Sequence, residues 1–136
     1  MDLGITQNLH ADAKILGDIM TEISPKLNGQ YEILQIASNG PTYGQDGHMH
    51  PDDHKDGTYT MLVYVNTEWK VEWGGETRFF VHGNPHEAKG NNMADMWSVL
   101  PMPKRAVFFN SRMVHMGSAP NRIFDGLRMT LAYKML

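Results

Sequence analysis

Residues 58–66 read Thr58-Tyr59-Thr60-Met61-Leu62-Val63-Tyr64-Val65-Asn66, a run rich in β-branched and aromatic side chains. In extended chain Thr60, Leu62, Tyr64 and Asn66 share one face, and Tyr59, Met61, Val63 and Val65 share the other. The stretch predicts a strand with one apolar face and one face that carries hydroxyls. Runs of the same texture surround it at 31–37, 76–81, 96–100, 105–110 and 127–134. Turn residues separate them, as in Asn39-Gly40-Pro41, Trp73-Gly74-Gly75 and His82-Gly83-Asn84-Pro85. In the last run Arg128, Thr130 and Ala132 lie opposite Leu127, Met129, Leu131 and Tyr133. An arginine in a hydrophobic strand is costly unless it finds a partner.

Upstream, residues 6–24 have a different period. Leu9, Ala13, Leu16, Met20 and Ile23 form an apolar stripe at helical spacing. Thr6 or Asn8 can cap its start, and Pro25 is expected to stop it. A supporting helix over 6–24 followed by six or more strands predicts a mainly β chain, an antiparallel sandwich or barrel with the helix on its outside. The length of 136 residues fits one domain over 1–136, with the β-rich part at about 31–134.

Composition narrows the chemistry. A net charge of −3 argues against nucleic acid held through phosphates. No apolar run approaches the ~20 residues that span a bilayer. The first residues show no basic segment followed by an apolar one, so no secretory leader is expected. A soluble, cytoplasmic protein is the expectation. The absence of cysteine excludes disulfides, thiolate zinc sites and cysteine nucleophiles. Seven histidines point to nitrogen and oxygen ligation if a metal is bound. The eleven methionines read as core packing.

His50-Pro51-Asp52 places an imidazole and a carboxylate two residues apart, on one face of extended chain. His115, after the apolar run Ala106-Val107-Phe108-Phe109, is placed to be a third donor. Two histidines and a carboxylate leave half of an octahedral shell open, the facial arrangement of non-haem Fe(II) oxygenases. The bland reading is also open. His48, His50 and His54 lie among Asp46, Asp52, Asp53 and Asp56, and such loops are ordinarily just solvated. His54-Lys55-Asp56 repeats the same spacing. Arg128 could pair with a structural carboxylate, and Tyr64 could be an ordinary strand tyrosine.

Read together, the segments are more specific. Tyr43-Gly44-Gln45-Asp46-Gly47 precedes His50-Pro51-Asp52; Thr60 to Asn66, Trp69 and Trp73-Gly74-Gly75-Glu76-Thr77 follow. Then come Pro103-Lys104-Arg105-Ala106-Val107-Phe108-Phe109, His115-Met116-Gly117 and Leu127-Arg128-Met129-Thr130. Over about residues 31–134 this order resembles the catalytic core of the 2-oxoglutarate- and Fe(II)-dependent dioxygenases, in the prolyl 4-hydroxylase-like branch. The resemblance implies a double-stranded β-helix, or jelly roll, with the metal at its mouth. It implies His50, Asp52 and His115 as iron ligands, and Arg128 as the grip on the far carboxylate of 2-oxoglutarate, for which a planar fork is suited. Thr130 and Tyr64 are implied at the same carboxylate, and Tyr43 matches an aromatic ahead of the His-x-Asp motif. Arg128 follows His115 at a longer interval than is usual in the family, so residues 118–125 are expected to loop out, with Arg122 as the other candidate. The implied reaction hydroxylates a C–H bond, consuming 2-oxoglutarate and dioxygen and releasing succinate and CO2. Fe(II) is the implied metal, with ascorbate as an auxiliary reductant. The expected substrate is a proline-containing peptide or protein, or else a small molecule, with no nucleic-acid or membrane partner. Trp69, Trp73 and the segment 82–97 are expected to shape the substrate mouth, and Trp97 to be core.

Two other readings compete. His48-Met49-His50 gives the His-x-His pair of a cupin, with His54 replacing the missing glutamate; that reading leaves Arg128 and the Gly-Gly-Glu turn unexplained. A jelly roll that only binds a protein or sugar has no need of three ligands and an anion-binding arginine.

Overall fold

The computed structural model describes residues 18, 21–22, 25–27, 30–80 and 95–136. Among these, the strands are β1 (Ile33–Asn39), β2 (Tyr59–Tyr64), β3 (Thr77–Phe80), β4 (Met96–Val99), β5 (Ala106–Asn110), β6 (His115–Gly117) and β7 (Thr130–Met135). A single 3-10 turn, Val71–Trp73, precedes β3. Each of the six expected runs contains a strand. The helix expected over 6–24 lies outside the described residues except for Asp18, Thr21 and Glu22, which are helical. Residues 25–27 are helical too, past the stop expected at Pro25. A proline is tolerated where its missing N–H has no intrahelical acceptor. No helix among the described residues is long and apolar enough to cross a membrane.

The strands form two antiparallel sheets, ordered β1-β7-β2-β5 and β4-β3-β6. Strand β2 is central in the larger sheet, and both of its faces are covered. On the outer face Met61, Val63 and Val65 join Leu131, Tyr133 and Met135 in the main apolar cluster. Leu27, Tyr31, Ile33, Ile36 and Met129 pack against it. Burying side chains such as Val63, Leu131 and Met135 stabilises by about 1.5–3 kcal/mol each. The apolar core therefore lies behind the larger sheet, and the space between the sheets is free to be polar. There Tyr64 Oη–H donates to Thr77 Oγ1 at 2.7 Å, and Phe79 meets Phe109 edge to face at 4.9 Å between ring centres.

Two boundaries differ from expectation for visible reasons. Strand β7 starts at Thr130, not at residue 127, because the Asn66 side chain takes over the ladder. Its Nδ2 donates to Leu127 O at 2.8 Å and its Oδ1 accepts from Met129 N–H at 2.7 Å. Arg128 consequently sits just before the strand, its N–H donating to Pro41 O at 2.9 Å. Trp97, expected in the core, is 67% exposed. It lies on β4, the edge of the smaller sheet, paired only with β3 in that sheet order.

Candidate active site

His50 and His115 face each other across an antiparallel bridge, with both N–H···O distances 3.0 Å. Directly opposed residues point to the same side, and the two ring centres are 4.7 Å apart. Asp52, two residues beyond His50, puts Oδ1 at 3.5 Å from His50 Nε2 and 3.6 Å from His115 Nε2. One donor atom from each of the three lies within 4.8 Å of the others. The ring orientations are set from behind. His50 Nδ1–H donates to His48 O at 2.8 Å, and His115 Nδ1–H to Met113 O at 3.0 Å. A carbonyl can only accept, so the Nδ1 atoms carry the protons and both Nε2 lone pairs face Asp52. Burial lowers the His115 pKa and keeps the ring neutral, with His50 adding to the effect and the Met113 carbonyl and Asp52 opposing it. Neutral imidazole is the ligating form. Two such nitrogens and one carboxylate oxygen fit the donor set of Fe(II) with open positions.

Of the competing histidines, His48 has its ring beside that of His50, with centres 5.0 Å apart, and His54 lies in the loop beyond Asp52. His48 and His54 are exposed, and neither belongs to the donor group found among the described residues. Asp53 Oδ1 accepts from His54 N–H and Lys55 N–H, an Asx turn, and Asp56 pairs with Arg112 at the surface. The second His-x-Asp is thus a solvated loop.

Further along the same inner space lies a buried cation. Arg128 is 3% exposed. Its Nε donates to Gly75 O, and its Nη2 to Thr77 Oγ1 at 2.7 Å. Its guanidinium carbon stands 5.5 Å from the centre of the Tyr64 ring. Among the described residues no carboxylate oxygen lies within ion-pair distance of it; Glu76 pairs with Arg78 at 3.1 Å instead. Burial lowers the Arg128 pKa and raises that of Tyr64, so the phenol stays protonated and a donor. Thr130, 4% exposed, is the cross-strand partner of Tyr64. The arginine lies against Gly117 of β6, where a Cβ would meet Arg128 Nη1 at 3.5 Å, an ordinary van der Waals contact. Gly117 is two residues past His115 on β6, so the cation and the three donors are separated by about 7 Å of strand. Arg122, the other candidate, is exposed. Tyr43 is 59% exposed in the turn after β1, so it is not drawn into this cluster.

Trp69 and Trp73, expected at a substrate mouth, are instead packing residues. They meet at 5.4 Å, with Phe124 against both at 4.8 and 4.5 Å, and are 6% and 9% exposed. Trp69 Nε1–H donates to Gly74 O at 3.0 Å. Residues 118–125 form the expected irregular loop between β6 and β7, with Asn121, Arg122 and Ile123 exposed. The loop is anchored on this turn through Ser118 N–H to Glu76 O and Asn121 N–H to Trp73 O. Most of the segment 82–97 lies outside the described residues. Thr77 and Gly75, which hold Arg128, were missed as site residues, although the Trp-Gly-Gly-Glu turn pointed to their neighbourhood. Thr60, whose Oγ1–H donates to Asp52 Oδ2 at 2.7 Å, was missed as well; its place on the Tyr64 face was the available signal.

Residues 34–133 match the family model of the 2OG-Fe(II) oxygenase superfamily. No curated protein matches the chain. Among solved structures it is similar to a prolyl-4-hydroxylase from Pseudomonas putida, at 18% identity and a TM-score of 0.58, covering 89% of this chain and 60% of that one. It is also similar to the non-heme alpha ketoglutarate dependent carbocyclase SnoK from nogalamycin biosynthesis, at 16% identity and 0.56, covering 90% and 56%. The chain spans less than two thirds of either structure. At these identities the likeness is one of fold, and that fold is the mainly β jelly roll of these oxygenases. With the family model covering most of the sequence and the strands in place around the three donors, the chain belongs to the 2OG-Fe(II) oxygenase superfamily.

Proposed function

We propose that this chain is a 2-oxoglutarate- and Fe(II)-dependent dioxygenase that hydroxylates a C–H bond and releases succinate and CO2. One observation carries the reading. A buried arginine with only neutral acceptors against it lies on the same inner surface as two imidazole nitrogens and a carboxylate. A buried charge without a counter-ion is costly, and a dicarboxylate reaching from the donors to Arg128 supplies one. His50, Asp52 and His115 would hold the iron, which supplies the redox chemistry with dioxygen when bound. Arg128 would orient the far carboxylate, with the Tyr64 and Thr130 hydroxyls beside it. Enclosure between the sheets keeps water from competing for that carboxylate.

Anaerobic titration with Fe(II) and 2-oxoglutarate tests this. A visible charge-transfer band is expected with both present and absent in His50→Ala and His115→Ala. A band that survives both changes overturns the ligand assignment. Release of succinate with a turned-over substrate separates the enzyme from a module that only binds.

For substrate class we take a peptidyl proline, supported by the fold shared with a prolyl-4-hydroxylase, with ascorbate sustaining turnover. The carbocyclase of the same fold supports a small molecule as the second reading. Mass spectrometry of proline-containing peptides for a gain of one oxygen decides between them.

A further inference from the structure

Asp52 is approached from three elements. Ser111, fully buried in the turn after β5, accepts Asp52 N–H at 2.8 Å and Asp53 N–H at 3.1 Å on its carbonyl. Lys134 on β7 donates its Nζ to Asp52 O at 2.8 Å. The peptide is thus held on both sides, and only the carboxylate is left to be aimed. Thr60, 2% exposed on the inner face of β2, does that through its bond to Oδ2. Thr60 Oγ1 also lies 2.9 Å from Ser111 Oγ. A hydroxyl has one proton, and an ionised carboxylate has none to give. The Thr60 proton goes to Asp52, so Ser111 must donate to Thr60. The order Ser111 to Thr60 to Asp52 is therefore fixed, and each bond polarises the next.

The relay engages Oδ2 and leaves Oδ1 as the oxygen aimed at both Nε2 atoms. A carboxylate free to swing can chelate through both oxygens and fill a further position on a metal. We infer that Thr60 and Ser111 are positioning residues that hold Asp52 to one-oxygen ligation and so keep the rest of the metal's shell open. This rests on His50, Asp52 and His115 being the ligands.

The test uses the full chain without metal. Mn(II) is titrated in and free Mn(II) is read by electron paramagnetic resonance; Co(II) is added separately and its d–d absorption recorded. Melting by circular dichroism checks the fold of each variant. Thr60→Val is expected to bind Mn(II) about tenfold more weakly, the low end for loss of an outer-shell partner. Its Co(II) spectrum should change as the second oxygen joins the shell. Thr60→Ser should match the wild type in both readouts, and Ser111→Ala should weaken Mn(II) binding by a smaller factor. Wild-type affinity and spectrum in Thr60→Val overturn the inference. So does a Thr60→Ser as impaired as Thr60→Val, since shape rather than the hydroxyl would then be responsible. If Thr60→Val does not fold, Ser111→Ala decides, and unchanged values there overturn it. A wild type that binds neither ion, or a His115→Ala that binds as well as the wild type, overturns the ligand reading itself and this inference with it.

Discussion

Arg128 is enclosed by protein, with a carbonyl and a hydroxyl as its hydrogen-bond acceptors. Its desolvation is recovered only in part by neutral partners, so an incoming carboxylate gains a charge-assisted pair in a dry setting. Removing it should cost about 1.5–3 kcal/mol of 2-oxoglutarate binding, roughly ten- to a hundredfold in Kd. Calorimetry on the Mn(II)-loaded, anaerobic protein should show that loss in Arg128→Ala with Mn(II) affinity unchanged. Arg128→Lys should recover only part of it, because a point charge lacks the fork. Equal loss of both affinities would mark the arginine as structural. His115 carries the pH dependence. Its folded pKa lies below the ordinary 6.5 because burial disfavours the charged ring. The unfolded chain then binds the proton first as pH falls. The stability that the neutral ring contributes is present above about pH 6.5 and is lost as pH falls from there through the lower folded value. Urea denaturation of the metal-free protein at descending pH should show this loss, and His115→Gln should flatten that part of the profile.

Strand β6 has three residues, His115–Gly117, yet it carries one of the three candidate donors and the glycine on which Arg128 lies. Its partner β3 is supported by the turn at Trp73-Gly74-Gly75, which works only with glycine at its end. Gly75 has φ +73°, and a Cβ there would sit 2.9 Å from Trp69 Cζ2 and 3.1 Å from Arg128 Cδ. Gly75→Ala should destabilise by about 1–3 kcal/mol through backbone strain alone. The crowding should also displace Arg128, so the variant should show both a lowered Tm and weaker 2-oxoglutarate binding. A lowered Tm with normal binding would separate the turn from the anion pocket. The element level also explains what could be read from the residues. Alternation and glycine- or proline-bearing separators made six strands legible, because they are long enough to show a period. Strand β6 is too short to show one. The spacing that brings the His50 and Asp52 side chains together is local and was legible; the grip of Thr77 on Arg128 joins residues 51 apart in sequence and was not. The tryptophans were misassigned because size and hydrophobicity do not say which side of a strand or turn is covered. Trp69 and Trp73 found Phe124, whereas Trp97 ended on a sheet edge.

At the scale of the molecule, stability and function are placed on opposite faces of one sheet. The outer face of β2 and β7 holds the apolar cluster, while the inner face presents Thr60, Tyr64 and Thr130 to a polar interior. A fold whose core lies behind the site can keep a cation and three donors between its sheets without unfolding. Those groups nevertheless leave binding energy to be realised when ligands arrive. A ligand that binds only the native state stabilises it by about 2.7 kcal/mol at a hundredfold excess over Kd. For a chain of this size each kcal/mol raises Tm by roughly 2–8 °C. Mn(II) and then 2-oxoglutarate, added without oxygen, should therefore raise Tm in two additive steps. The variants assign the steps. His115→Ala should lose the metal step and with it the second, since the co-substrate needs the ion. Arg128→Ala should keep the first and lose most of the second. If 2-oxoglutarate raises the Tm of His115→Ala as much as that of the wild type, the anion is held without the metal. The buried arginine would then serve some other carboxylate.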